Sequence, residues 1–151
     1  MHVRLLRSDD AELAARAIQQ IKPPGERQGD ATLRDMERFL GAREALFAVA
    51  VAVDDEPAGY AVAYDLPRVD GGSAMILLYE VMVASGHRRQ GIGRALVMCL
   101  VEEARAREAG SMWVLADEDN AAAVGLYTSC GARRRVPDQS LFVWSPIRLL
   151  S

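Results

Sequence analysis

The stretch MILLYEVMVASGHRRQGIGRALVMCLVEEARA, residues 75–106, decides the fold and points to an anion site. Its first nine residues are apolar apart from Tyr79 and Glu80, which is typical of a strand covered on both faces. After Gly91, apolar residues recur at helical spacing and predict a helix that ends near Gly110. A strand, a glycine-containing turn and a helix form an anion site, because the free N–H groups of the first helical turn converge there.

The turn between this strand and helix is rich in positive charge. Arg88, Arg89 and Arg94 supply donors that suit phosphate oxygens, while Gly91 and Gly93 allow a ligand to approach the backbone closely. A diphosphate is the expected ligand. The sequence lacks the P-loop string GxxxxGK[ST], and the GxG here lacks the third glycine of a dinucleotide fingerprint. The alternative is a solvated, arginine-rich helix start whose glycines only make a turn.

Composition predicts one globular domain over residues 1–151. Half of the residues are hydrophobic, 26% are charged and the net charge is −3, which disfavours disorder and a nucleic-acid partner. The first residues lack the apolar core of a signal peptide, and no window approaches the ~20 apolar residues of a membrane span. We therefore expect a cytoplasmic protein without a membrane partner. Cys99 and Cys130 have no metal-ligand spacing, so no metal is expected.

The rest of the sequence predicts an α/β (α+β) fold with helices on the faces of one sheet. Paired prolines and two glycines prevent a helix at 22–30, and this segment is predicted to form a mobile rim. At the end of the segment, Asp30 is expected to cap the next helix. The element order is β-α-α-β-β-β-α-β-α-β(β), with six to seven mostly antiparallel strands and about four helices. Strands are predicted at 2–6, 46–53, 59–64, 75–83, 112–116, 132–136 and 141–147, and helices at 8–21, 30–43, 92–110 and 120–130.

Two motifs resemble those of the GNAT superfamily of N-acetyltransferases. RRQGIG at 88–93 resembles its R/Q-x-x-G-x-G/A signature, and NAAAVGLYTSCG at 120–131 is similar to its N-x-x-A-x-x-L-Y-x-x-x-G motif. The resemblance implies the GNAT fold over the whole chain, acetyl-CoA as donor and a possible homodimer. The residues implied in acetyl-CoA binding are Val81, Met82, Val83, Arg88, Arg89, Gln90, Gly91, Ile92, Gly93, Arg94, Asn120 and Tyr127.

The same resemblance suggests how an acetyl group is transferred. The backbone of Val81 and Val83 would pair with the pantetheine arm as an added strand. Glu80, the single carboxylate of the central strand, is predicted to take the proton of the amine directly or through water. Tyr127 matches the tyrosine that the family uses to protonate the departing thiol. The alternatives are that Glu80 pairs with an arginine or faces solvent, and that Tyr127 only packs against the sheet.

Acidic residues near the expected site predict a small cationic amine as acceptor. The loop at 117–119 is acidic, although it could equally be a solvated loop that caps the following helix. The predicted substrate-binding residues are Asp65, Tyr79, Glu80, Asp117, Glu118 and Asp119.

A closer resemblance concerns the acceptor. Residues 46–134 look like the short aminoglycoside 3-N-acetyltransferases, whose pattern Y-D-L-A-V-S-x-x-H-R-R-Q-G-I-A has an aspartate at Glu80 and an alanine at Gly93. This implies the 3-amino group of an aminoglycoside as the acceptor. The match fades before Leu46, so a peptide N-terminus or lysine, or a non-catalytic acyl-CoA-binding module, remain as alternatives.

Overall fold

The computed structural model describes residues 1–135, which form one five-stranded sheet with helices on both faces. The strands lie in the order β1 to β5. Neighbouring strands from β1 to β4 are antiparallel, whereas β5 is parallel to β4. The strands are β1 (His2–Leu5), β2 (Ala45–Val51), β3 (Pro57–Leu66), β4 (Met75–Val83) and β5 (Ser111–Val114), and the helices are α1 (Ala11–Ile21), α2 (Leu33–Leu40), α3 (Ile92–Ala106) and α4 (Ala121–Ser129).

The mixed sheet with four helices confirms the predicted α/β class, but the predicted six to seven strands are not matched. The described residues contain five strands. Residues 132–135 form no strand, because three successive arginines offer no apolar face to bury. The strand predicted at 141–147 lies outside the described residues.

The sheet separates two apolar cores, as expected when alternate side chains of a strand point to opposite faces. On one face, α1 and α2 cover the large side chains of Phe47, Val49 and Tyr60. On the other face, α3 lies over small residues, including Ala48 and Ala61. The small side chains let the backbone of α3 approach the sheet closely, which places the start of that helix beside β4.

Several helix boundaries differ from the sequence prediction: α1 begins at Ala11 rather than at residue 8, and α2 ends at Leu40 rather than at residue 43. Thr32 rather than Asp30 caps α2: the Thr32 hydroxyl accepts a hydrogen bond from the Asp35 backbone N–H (3.2 Å), and the Asp35 carboxylate accepts one from the Thr32 N–H (2.9 Å). This is a reciprocal capping box. The third helix ends at Ala106, short of Gly110, because Glu108 adopts a left-handed φ of 55°.

Gly59 lies where β3, β4 and α3 meet. A Cβ atom added there would stand 2.9 Å from the Met82 carbonyl oxygen and 3.1 Å from side-chain atoms of Ile92 and Leu96. We expect Gly59→Ala to lower the free energy of unfolding by about 1–3 kcal/mol, the usual effect of overpacking. Urea unfolding measures it. Gly29→Ala is the control, since nothing lies within 4 Å of that position, and equal stability of the two variants would contradict the prediction.

Candidate active site

The site centres on a β-bulge at Tyr79 of β4. Glu80 pairs with Val62 of β3 and Leu78 with Ala63, so Tyr79 opposes no residue of the neighbouring strand. A bulge adds one residue and thereby switches the faces of all later side chains. Leu78 packs in the core beneath α3, whereas Glu80 projects to the face of α1 and α2. Without the bulge, the carboxylate would point into the apolar core under α3.

Beyond the bulge, β4 and β5 separate. The two strands pair from Met75–Ser111 to Leu78–Val114, and no described residue pairs with β4 on that side at 79–83. The strands therefore diverge at the C-terminal end of β5. This leaves one edge of a central strand open at the point where Glu80 leaves the sheet.

The open edge presents the backbone polar groups of Val81 and Val83. The Ala84 N–H donates to the Ala58 carbonyl (2.9 Å) and so faces β3. Because N–H and C=O groups alternate sides along a strand, the groups of Val81 and Val83 face the gap. The Val83 carbonyl accepts a long hydrogen bond from Arg88 Nε (3.4 Å). An extended ligand could pair with this edge as an added strand.

The loop at 84–91 joins this edge to the N-terminus of α3, which has no side-chain cap. Gly91 precedes the helix with a left-handed φ of 80°, a conformation that glycine adopts without steric cost. The first helical bond runs from the Ala95 N–H to the Gly91 carbonyl (3.0 Å). The N–H groups of Ile92, Gly93 and Arg94 therefore have no partner within the helix. This end of α3 can bind an anion such as a diphosphate.

Exposed cationic side chains surround these N–H groups and form, together with them, a cradle at residues 88–94. Arg88, Arg89 and Arg94 are exposed, and Arg89 has a left-handed φ of 62°, which is uncommon for a residue with a Cβ atom. Gln90 is tied back to the Gly86 carbonyl (3.4 Å). At Gly93, an added Cβ would lie 3.4 Å from a methyl group of Leu126, an ordinary contact, so an alanine fits there.

The carboxylate of Glu80 is engaged through both of its oxygens. Lys22, the residue after α1, places its Nζ 2.6 Å from Oε2, and the Tyr60 hydroxyl donates to Oε1. The partner is thus neither an arginine nor solvent: the side chains of Glu80 and Lys22 are only 20% and 22% exposed. Burial and then the hydrogen bond to Glu80 raise the pKa of Tyr60, so this phenol stays a proton donor.

Tyrosines form a wall beside this carboxylate. Tyr79 is 64% exposed, and its ring meets that of Tyr64 edge to face, with 5.6 Å between ring centroids. Tyr64 packs in turn on Phe39 at 5.9 Å. Burial, and then the proximity of Tyr79 and Glu80, raise the pKa of Tyr64. Sequence reasoning missed Tyr60 and Tyr64, although their even spacing in β3 places them on the same face.

Tyr127 lies on the opposite side of the sheet from Glu80. It is half-buried on α4 and packs against the core that also includes Val81 and Val83. Burial, and to a lesser extent Cys130, raise the pKa of Tyr127, so its hydroxyl remains protonated at neutral pH. The open edge of β4 lies between the two faces. A ligand paired with that edge would have the carboxylate on one side and the tyrosine on the other.

Asp65 is not brought to this site, contrary to the sequence prediction. Its carboxylate forms an ion pair with Arg107 (Nη1 to Oδ2, 3.0 Å), and Arg107 also binds Glu103 (2.8 Å). Arg107 follows the last turn of α3, whose 15 residues extend about 22 Å at 1.5 Å per residue. Asp65 therefore stabilises the end of the helix remote from the cradle.

The acidic loop at 117–119 is exposed and lies between β5 and α4. Glu118 forms an exposed ion pair with Arg134 (3.2 Å), and neither Asp117 nor Asp119 contacts Glu80. Asn120 caps α4, since its Oδ1 accepts a hydrogen bond from the Ala123 N–H (3.1 Å). The loop leaves the sheet at the same end as the open edge, but its carboxylates are solvated.

Residues 1–135 show no sign of a metal centre or of a membrane-spanning helix. No group of three or more His, Cys, Asp or Glu residues there could hold a metal ion, and Cys99 and Cys130 are free thiols. None of the described helices is long and apolar enough to cross a membrane.

Curated proteins and solved structures of acetyltransferases are similar to this chain. It is 36% identical over 84 residues to streptothricin acetyltransferase of Streptomyces lavendulae, a match that covers 55% of this chain and 42% of that protein. It is 39% identical over 54 residues to the [ribosomal protein bS18]-alanine N-acetyltransferase of Escherichia coli K12, covering 36% of each. These matches thus span about two fifths of the curated relatives.

The solved structures match over nearly their full length. An aminoglycoside acetyltransferase from an uncultured soil metagenomic sample is 26% identical with a TM-score of 0.77, and the match covers 95% of this chain and 98% of that one. A ribosomal-protein-alanine N-acetyltransferase from Brucella melitensis biovar Abortus 2308 is also 26% identical, with a TM-score of 0.72 and coverage of 99% and 100%. The model of the acetyltransferase (GNAT) family matches residues 13–132. The chain belongs to the acetyltransferase (GNAT) family.

Proposed function

We propose that this protein is an acetyl-CoA-dependent N-acetyltransferase that acetylates a primary amine by direct attack on the thioester. The observation that carries the proposal is the open edge of β4 at Val81 and Val83, which leads into the uncapped N-terminus of α3. The edge suits an extended amide-containing arm, and the helix end suits a diphosphate. Acetyl-CoA has both groups, in that order. Use of this donor fits the cytoplasmic location expected from the sequence.

The residues around the edge match the needs of the reaction. Glu80 would accept the proton of the attacking amine, with Tyr60 fixing the orientation of its carboxylate. A backbone N–H of Val81 or Val83 would polarise the acetyl carbonyl. The protonated hydroxyl of Tyr127 would supply the proton that the departing thiolate needs. Since Lys22 occupies Oε2 of Glu80, an external amine has to replace it there.

The first candidate acceptor is a small cationic amine, the 3-amino group of an aminoglycoside. Glu80 supplies a carboxylate for an ammonium group, and the exposed ring of Tyr79 offers a surface for a cation–π contact. Two similar proteins are named for aminoglycoside and streptothricin acetylation, and both of these antibiotics carry amines.

A peptide N-terminus is the second candidate, and the charge of the site favours it. Lys22 neutralises Glu80, Asp65 lies elsewhere, and the loop at 117–119 is solvated. With Lys22 in place, the described site therefore presents little net negative charge to attract a polycation. A similar structure of the same length is named a ribosomal-protein-alanine N-acetyltransferase.

Thiol release from acetyl-CoA in the presence of aminoglycosides, streptothricin, polyamines and alanine-terminated peptides tests these proposals. We expect turnover of a 2-deoxystreptamine aminoglycoside, with the acetyl group on N3 in the mass and NMR spectra of the product. Turnover of peptides alone would exclude the first candidate in favour of the second. Binding of acetyl-CoA without turnover of any amine would indicate a non-catalytic acyl-CoA-binding module and contradict the proposed activity.

A further inference from the structure

Lys22 is the only lysine in the sequence, since all other residues among the 18 Lys and Arg are arginines. The end of α1 and the following proline fix the position of its backbone. The Lys22 backbone N–H donates to the Ile18 carbonyl (3.0 Å) at the end of α1, and the fixed φ of Pro23 follows. From there the side chain reaches 58 residues along the sequence to the carboxylate of Glu80. The one side-chain amine of the chain thus rests on the candidate general base.

The identity of this residue matters chemically. An arginine could make the same ion pair, but a guanidinium does not lose its proton in a protein. A lysine amine becomes a nucleophile once a base takes a proton from it. Lys22 therefore places a primary amine beside Oε2 of Glu80, and a primary amine is also the group that an acceptor would bring there.

We propose that Lys22 is an acetylation site, modified by the same molecule that carries it. This inference rests on the proposed function. The Lys22 ammonium gives one proton to Glu80; its nitrogen forms a bond to the acetyl carbon of acetyl-CoA as the bond from that carbon to sulfur breaks. The CoA sulfur takes its proton from Tyr127, the second proton of the nitrogen restores that of Tyr127, and Glu80 releases its proton to solvent. The products are CoA and an uncharged acetyl-lysine, which no longer pairs with Glu80.

Peptide-mapping mass spectrometry of the full chain, incubated with acetyl-CoA in a buffer without amines, tests this inference. The α-amine of the chain serves as an internal reference. We expect Lys22 to be acetylated faster than the α-amine and at a rate independent of protein concentration, as for a reaction within one molecule. Glu80→Gln should slow acetylation of Lys22 about 10²-fold, the usual contribution of a general base, and leave the α-amine unaffected. Lys22→Arg keeps the ion pair and should give no acetylated peptide at residue 22.

A chemical reagent separates positioning from simple reactivity. Acetic anhydride needs no binding site and should modify the α-amine before Lys22, which is mostly buried and paired. The same order of reaction with both reagents would overturn the inference, even if Glu80→Gln did not fold. An unmodified Lys22 would overturn it as well. If external amines are turned over while Lys22 stays unmodified, only this inference fails; if acetyl-CoA neither binds nor turns over, the proposed function fails with it.

Discussion

Replacing Glu80 by glutamine is expected to lower kcat for acetylation of an external amine by about 10²- to 10⁴-fold, the range typical of general bases. Glutamine keeps the size of the side chain and can still accept the hydrogen bond of Tyr60 through its carbonyl oxygen. It cannot take a proton from an amine. The Kd of acetyl-CoA should remain unchanged, because Val81, Val83 and the start of α3 contribute backbone groups that the substitution leaves in place.

Single-turnover kinetics and calorimetric titration with acetyl-CoA measure the two quantities separately. Glu37→Gln is the control: Glu37 is an exposed carboxylate on α2 and is expected to leave kcat unchanged. If Glu80→Gln weakened acetyl-CoA binding as much as it slowed turnover, Glu80 would have a structural role. The circular dichroism spectrum and Tm of each variant establish that the fold is retained.

Outside the bulge, most strands and helices of the described residues lie where the sequence predicts them. The apolar run at 75–83 and the helical spacing after Gly91 predicted β4 and α3, because both patterns depend on local periodicity. The bulge at Tyr79 leaves no mark in such a pattern, because the apolar residues on either side of Glu80 are compatible with either register. The face on which Glu80 projects could therefore be known only from the pairing with β3.

The partners of ionisable groups were the least predictable part of the site. Asp65 was predicted to bind substrate because it lies near the end of β3. It pairs instead with Arg107, which follows the last turn of α3. Lys22 stood in a segment predicted as a mobile rim that helps to wall the acceptor site, but its pairing with Glu80 was not predicted. Both pairs join residues more than forty positions apart, and charge alone does not tell which of many arginines and acids will meet. The single lysine was the one available signal.

The arginines of the cradle at the start of α3 should contribute much of the affinity for acetyl-CoA. We expect the double substitution Arg89→Ala, Arg94→Ala to raise the Kd of acetyl-CoA about 10²-fold. Each charge-assisted hydrogen bond contributes about 1.5 kcal/mol, and about 1.4 kcal/mol corresponds to tenfold in affinity. The remaining affinity would come from the backbone N–H groups of the helix and from the edge of β4. Added salt should weaken binding less in the double variant than in the unmodified protein.

The stability of the double variant should rise, although its affinity for acetyl-CoA falls. Arg94 lies in the first turn of α3, where no acidic residue offsets the positive end of the helix dipole. Removing this cation should raise the free energy of unfolding by roughly 0.3–1 kcal/mol at low salt. Arg105→Ala near the other end of the same helix is the matched control. Arg105 is exposed and paired with Glu102, so its loss should leave the Kd unchanged. Equal affinity losses in the two variants, or a loss that accompanies lower stability, would refute the cradle; weaker binding by a more stable protein is the result that the geometry predicts.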